Sequence, residues 1–264
     1  MNIVFRELKA HRKSLIFWCL GVIMMVVSGM GKYGAMSGSG QSMNELMEGM
    51  PKGLQAVFGV GGLDLSSVMG YYGILYLYIA IMVAIHAVML GATIIAKEER
   101  DKTAEFLFTK PVSRRKVISG KLFAAFVQVA IINLVAYLSS LLSVSRYDAG
   151  PQVKGDIATL MIGIFLFQLI FLSIGAATGA VQKRAGKAGA TAAAIMLATF
   201  ILSVAIDMNE KMEPLKYFTP FKYFEAKELL FGGGISGTFL LISAAIAALL
   251  TAVTYISYQK RDLN

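Results

Sequence analysis

The sequence predicts an all-α integral membrane protein with six transmembrane helices, and three observations lead to this prediction. Of 264 residues, 56% are apolar and only 16% are charged, whereas a soluble domain averages roughly 25% charged residues. Six runs contain no Asp, Glu, Lys or Arg, and roughly 20 apolar helical residues cross a bilayer core about 30 Å thick. The alternation typical of a transmembrane β-barrel is absent from them. The runs cover 15–31, 71–96, 122–145, 157–182, 188–206 and 235–259.

The first 14 residues mix apolar and basic side chains, such as Phe5 and Leu8 beside Arg6 and Lys9. This pattern favours an N-terminal amphipathic helix at the membrane interface. The run 15–31 that follows exceeds a typical signal-peptide core, and no A-x-A-like cleavage site follows it. We therefore interpret 15–31 as a retained span. Its Cys19 is the only cysteine, which excludes an intrachain disulfide and any multi-cysteine metal site.

The distribution of charge predicts the orientation. With six spans, the segments 1–14, 97–121, 183–187 and 260–264 share one side of the membrane, and they hold 17 of the 25 Lys and Arg residues. Basic residues concentrate in cytoplasmic loops. Both termini are therefore predicted to be cytoplasmic, with a net charge of +11 on that side and −2 on the other. The overall charge of +9 then reflects topology, and we expect no nucleic-acid partner.

Two segments on the opposite side are too irregular to span. Segment 32–70 is interpreted either as a flexible apolar surface for a hydrophobic substrate or as a loop with a short amphipathic helix; its methionines are Met36, Met43, Met47, Met50 and Met69. Segment 207–234 carries nine charged and six aromatic residues. It predicts short re-entrant helices in the outer leaflet, broken at Pro214 and Pro220.

The spans themselves carry few polar groups. Four polar candidates are expected to bond neighbouring helices rather than a substrate, namely His86, Gln128, Asn133 and Gln168. Without intramembrane carboxylates, ion-coupled transport has little basis. The G-x-x-x-G at 175–179 is interpreted as close packing within the chain or, alternatively, as a dimer seam.

No catalytic or nucleotide-binding motif is present. The sequence lacks H-E-x-x-H, C-x-x-C, G-x-S-x-G and the G-x-x-x-x-G-K-[ST] phosphate loop. We therefore expect no catalytic residue, metal or cofactor in this chain, which disfavours an intramembrane enzyme. A non-transporting membrane sensor or scaffold stays open as an alternative.

Segment 97–121 is the most informative. It has 12 charged residues around an apolar patch at Ala104, Phe106, Leu107 and Phe108. Pro111 is predicted to end this piece, and Ser113 to cap the helix that enters the third span. The patch fits either a helix that docks in a partner's groove or a solvated loop with an interfacial helix.

Two stretches resemble the membrane subunit of ABC-2 (ATP-binding cassette type 2) exporters. The first, which is similar to the family's loop after its second helix, comprises Glu98-Glu99, Lys102-Thr103-Ala104-Glu105-Phe106-Leu107, Lys110-Pro111-Val112-Ser113-Arg114 and Gly120-Lys121. The second, Phe218-Thr219-Pro220-Phe221-Lys222-Tyr223-Phe224, resembles the segment between the last two helices. The six-helix layout also matches, so the resemblance covers essentially the whole chain. Lys102 stands where many members have glycine.

The resemblance implies a permease subunit that forms the substrate path with a second copy of itself. Two cytoplasmic ABC ATPase subunits would bind ATP and Mg and drive export. The implied coupling residues are Glu98, Glu99, Thr103, Glu105, Phe106, Leu107 and Phe108; the implied outer-gate residues are Pro220, Phe221, Tyr223 and Phe224. With the second and fifth spans lining the path, Tyr78, His86, Met196 and Phe200 are candidate lining residues. We expect an amphipathic cargo (peptide, lipid or drug) and a multi-pass location among the lipids of a bacterial cell membrane.

Overall fold

The computed structural model describes residues 3–37, 43–60, 62–103, 113–147 and 150–260. Six long apolar helices coincide with the six predicted spans, and the described residues contain no strand, so the predicted fold class is confirmed. In chain order the helices are α1 (Ile3–Ser37), α2 (Met43–Glu48), α3 (Lys52–Phe58), α4 (Val68–Arg100), α5 (Arg114–Val144), α6 (Val153–Val181), α7 (Ala188–Met208), α8 (Ala226–Phe231) and α9 (Gly237–Lys260), with 3-10 helices at Ala185–Lys187, Glu210–Phe218 and Pro220–Lys222.

The first helix differs from the prediction of a separate interfacial helix. It runs without a break from Ile3 to Ser37, since no proline or glycine interrupts it before Gly21. At about 1.5 Å per residue its length is about 52 Å, which exceeds a bilayer core of about 30 Å. The N-terminal turns therefore continue the first span as one rod.

The central pair of the bundle is α4 and α6. These helices have the largest buried shares of their apolar windows, 72% and 61%, whereas the buried shares of α1, α7 and α9 are 17%, 22% and 11%. Glycines allow their backbones to touch: a methyl group on Gly175 would overlap the carbonyl of Val88, and one on Gly179 would lie 2.5 Å from the carbonyl oxygen of Ala92. Close packing within the chain thus accounts for the G-x-x-x-G motif.

The bundle has two ends, which we name by their contents. At the terminal end, the first turns of α1 and α5 meet the last turns of α4 and α9; for example, Arg114 Nη1 donates to the carbonyl oxygen of Gln259 at 3.0 Å. The distal end holds the segments that join α1 to α4, α5 to α6 and α7 to α9. There Tyr33 donates to the carbonyl oxygen of Ser66 at 3.0 Å.

Candidate functional site

A group of buried ion pairs, which we call the terminal cluster, joins α1, α4 and α5. Lys121 of α5 has no exposed surface, and its Nζ donates to the carbonyl oxygen of Ile94 at 2.5 Å and to the carboxylate of Glu98 on α4. Arg6 of α1 donates to the other oxygen of Glu98 at 3.2 Å. Glu98 thus connects three helices through one carboxylate.

Glu7 supplies the second buried carboxylate of the terminal cluster. Its oxygens accept hydrogen bonds from Arg6 Nη2 at 2.8 Å and from Lys97 Nζ at 3.0 Å, and His11 Nε2 lies 4.0 Å away. The side chain has no exposed surface. Two carboxylates therefore face three cations, of which only Lys121 is fully buried; Arg6 and Lys97 keep part of their surface exposed, which lowers the cost of the unbalanced charge.

The predicted coupling residues divide into two groups. Glu98, Glu99 and Thr103 lie at the end of α4, where the exposed Thr103 donates its backbone N–H to the carbonyl oxygen of Glu98 at 2.7 Å. The side chain of Glu98 faces the terminal cluster rather than solvent. The others, Glu105, Phe106, Leu107 and Phe108, lie outside the described residues.

Two details of segment 101–113 agree with the sequence. Ser113 caps α5, because its Oγ accepts from the backbone N–H of Lys116 at 3.3 Å. Lys102 has a φ of +53°, a conformation that glycine adopts without strain. This left-handed backbone gives a physical reason for the glycine that many members of the family that this chain resembles have in place of Lys102.

The part of segment 207–234 that follows α7 contains the predicted outer-gate residues, and we call it the gate segment. At the distal end, Lys222 attaches it to α7. Its Nζ donates to the carboxylates of Asp207, near the end of α7, and of Glu225. Burial raises the pKa of Glu225, and the neighbouring Lys222 only partly opposes this. Burial by itself lowers the pKa of Lys222, but the two carboxylates outweigh it and raise the pKa above its ordinary value.

The gate segment differs from the predicted short helices broken at Pro214 and Pro220. Pro214 lies inside the 3-10 helix Glu210–Phe218 and does not end it, because 3-10 turns tolerate proline more readily than an α-helix interior. Pro220 opens the next 3-10 helix at its first position, where a missing N–H costs nothing. The predicted gate residues are all buried: Pro220, Phe221, Tyr223 and Phe224.

A cavity of about 300 Å³ lies between α4 and α7 beneath the gate segment. Phe200 of α7 and the gate residue Phe221 share its wall, with ring centroids 5.2 Å apart. Tyr76 of α4 donates to the carbonyl oxygen of Phe224 at 2.8 Å. Charged groups at Asp207 and Glu225 also line the cavity. It therefore combines an aromatic wall with a charged edge.

The four predicted path-lining residues are not brought together. Phe200 lines the cavity between α4 and α7, whereas Tyr78 lines a separate groove between α1 and α4. Met196 is buried among the helices. His86 is buried against α1, where its ring lies 5.4 Å from that of Trp18 in an edge-on arrangement.

The sequence predictions did not assign a role to Glu7, Arg6, Lys121 or Lys222. A signal existed for Lys121: it is the last charged residue before the third span, on the side of the membrane where Glu98 ends the second. A buried lysine at such a position needs a partner carboxylate. Which carboxylate it meets depends on helix rotation, which the charge pattern does not specify.

Comparison with known proteins adds one positive finding. A family model described as "ABC-2 family transporter protein" matches residues 1–263. A comparison with curated proteins found no match. The family match includes the terminal cluster, segment 101–113 and the gate segment.

Proposed function

Since the chain belongs to the ABC-2 family of transporter proteins and is a multi-pass membrane component of such a transporter, we propose that it is the permease subunit of an exporter. Two copies form the substrate path. The family implies association with an ABC ATPase subunit. Two such subunits bind ATP and Mg, and their closure supplies the work.

One observation carries this proposal: the terminal cluster fastens both ends of segment 101–113. Glu98 precedes the segment and Lys121 follows it; the two side chains pair with each other, and Glu98 also pairs with Arg6 of α1. A force on the segment is therefore delivered to three helices together. Glu99, Thr103, Glu105, Phe106, Leu107 and Phe108 contact the ATPase in this proposal, while Glu98 transmits the displacement from inside the chain.

The distal cavity supports a path along α4 and α7. Its wall includes Phe200, and its cover is the gate segment with Phe221 and Phe224. The cover is fastened to α4 by Tyr76 and to α7 by Lys222. A displacement of α7 relative to α4 therefore opens or closes the cavity. The aromatic wall and charged edge suit an amphipathic cargo.

The charge distribution supports the orientation of this proposal. The terminal end faces the cytoplasm, since it carries 17 of the 25 basic residues. The ATPase then meets segment 101–113, and the gate segment faces outward across a bacterial cell membrane.

Site-directed cross-linking tests the assignment of the ATPase contact. In a Cys19→Ser background, Thr103→Cys places a thiol at the terminal end, and Lys211→Cys places one at an equally exposed distal position. We expect a short bifunctional reagent to join the Thr103→Cys chain, but not the Lys211→Cys chain, to a co-purifying ATPase subunit. Phe106→Asp is expected to abolish transport-coupled ATP hydrolysis.

Two outcomes contradict the proposal. If the verified complex keeps coupled hydrolysis with Phe106→Asp or Glu105→Arg, segment 101–113 does not couple the two subunits. If inside-out vesicles that contain the complex accumulate a panel of amphipathic peptides and dyes independently of ATP, or not at all, the alternative of a membrane sensor or scaffold is favoured.

A further inference from the structure

A second recess, which we call the methionine groove, lies between α1 and α4 at the distal end. Its volume is about 440 Å³, and it is separate from the cavity beneath the gate segment. The α2–α3 region contributes to its lining through Met47, Met50 and Phe58, and α1 contributes Met25 and Met36. Flexible thioether side chains adapt to chains of irregular shape. Met69 takes no part, because it is buried in the core.

We expect the methionine groove to lie at the depth where the hydrocarbon core of a bilayer meets the headgroups. Its α1 wall includes Lys32, directly after the uncharged run 15–31, and extends one turn further to Met36. Tyrosines concentrate there: Tyr71 lines the groove and donates to the carbonyl oxygen of Gly29 at 3.1 Å, and Tyr33 lies 5.2 Å from it. Tyrosine is enriched at this interface.

The charged lining of the methionine groove is positive in the part of the chain that the structure describes. Lys32 is the only charged residue that lines it among the residues the structure describes. It is exposed and forms no salt bridge within that part of the chain. Residues 38–42, between α1 and α2, include no acidic residue. An apolar recess whose charged lining, among the described residues, is one exposed lysine is complementary to an anionic amphiphile.

We propose that the methionine groove binds a bilayer phospholipid with an anionic headgroup. One acyl chain lies among the methionines and Tyr71, and the phosphate and headgroup face Lys32. The site depends only on the chain lying in a membrane, so it stands independently of export, cargo and the ATPase. It gives the transporter a lipid requirement that the substrate path does not impose.

Fluorescence quenching in reconstituted vesicles tests this binding site. The chain contains one tryptophan, so Trp18→Phe with Phe58→Trp leaves a single fluorophore in the groove. The probes are dibrominated phosphatidylglycerol and dibrominated phosphatidylcholine, present in both leaflets. We expect phosphatidylglycerol to associate with the Phe58→Trp site about fivefold more tightly, which corresponds to about 1 kcal/mol for one lysine.

Two variants distinguish specific binding of a lipid in the groove from general contact between the protein surface and lipid. Lys32→Gln in the same background is expected to lower the preference to about one while quenching by both lipids continues. Leu241→Trp places the fluorophore on the exposed surface of α9, also at the distal end, and is expected to show no headgroup preference. Gel filtration of each variant establishes that it is folded.

Three results overturn the proposal. The groove is not occupied by lipid if neither brominated lipid quenches the Phe58→Trp fluorophore. Lys32 does not select the headgroup if its replacement leaves the preference intact. If the Leu241→Trp fluorophore shows the same preference for phosphatidylglycerol, this preference belongs to the whole protein surface rather than to the groove.

Discussion

The terminal cluster makes a quantitative prediction for the replacement of Glu98 by glutamine. The change removes one negative charge from beneath Lys121, whose remaining partner is the carbonyl oxygen of Ile94. Arg6 is affected less, since it is 31% exposed and also pairs with Glu7. Lys121 is then a fully buried cation without a carboxylate in contact, and only the more distant charge of Glu7 opposes its own.

The expected cost follows from that burial. Removing one partner of a buried ion pair destabilises a protein by about 3–5 kcal/mol, and the retained carbonyl contact favours the lower end, about 3 kcal/mol. Lys121→Met leaves Glu98 with Arg6, so we expect about 2 kcal/mol, in the range for a lost hydrogen bond between charged groups. The double variant should also cost about 2 kcal/mol, which gives a coupling energy of about 3 kcal/mol between the two residues.

The measurement is the free energy of unfolding in detergent for all four members of this double-mutant cycle. Asp101→Asn is the matched control: it neutralises a carboxylate three residues away whose partner, Arg100, is 46% exposed. Exposed pairs contribute about 1 kcal/mol or less. The reasoning is refuted if the Asp101→Asn variant loses as much stability as Glu98→Gln, or if the costs of the two cluster variants add.

Three further predictions concern the other parts of the bundle. Gly175→Ala should prevent recovery of folded protein in gel filtration, because its methyl group meets a neighbouring backbone carbonyl, whereas Gly186→Ala meets no atom within 4 Å and should be recovered normally. Tyr76→Phe should lower stability by about 1–3 kcal/mol in thermal unfolding, because the carbonyl of Phe224 loses its donor. Because the pKa of Glu225 is raised in the folded state, protonation favours folding there; the thermal midpoint of the native chain should rise relative to that of Glu225→Gln as the pH falls from 7.5 toward 4.5, and a constant difference would contradict this.

The six spans were predictable because their cause is compositional. A lipid-facing or lipid-buried helix excludes charge along its whole length, so each uncharged run indicates one helix. The helix ends were less predictable. The predicted span 71–96 is shorter than the helix observed there, Val68–Arg100. Charged residues such as Lys97 and Glu98 extend the helix, because they have partners in the terminal cluster.

The candidate site was predictable only in part. Aromatic and proline content singled out segment 207–234, whose role as an outer gate stays a prediction, and Phe200 lines the cavity beneath it. The partners of Lys121 and Lys222 were not predicted, since a pair between helices depends on their rotation and depth. The charge pattern also could not show that α1 continues through residue 14, because an interfacial helix and an extended span have the same amphipathic sequence there.

The glycine contacts between α4 and α6 limit how the molecule can change shape. Where backbones touch directly, no side-chain layer is left to slide, so rotation of one helix against the other would drive carbonyl oxygens into main-chain atoms. The two central helices therefore behave as one rigid body. We expect motion at interfaces made of side chains, above all between α4 and α7, where Tyr76 and Phe200 line a cavity. A covalent bridge between α4 and α6 should leave the working cycle intact, whereas one between α4 and α7 should stop it.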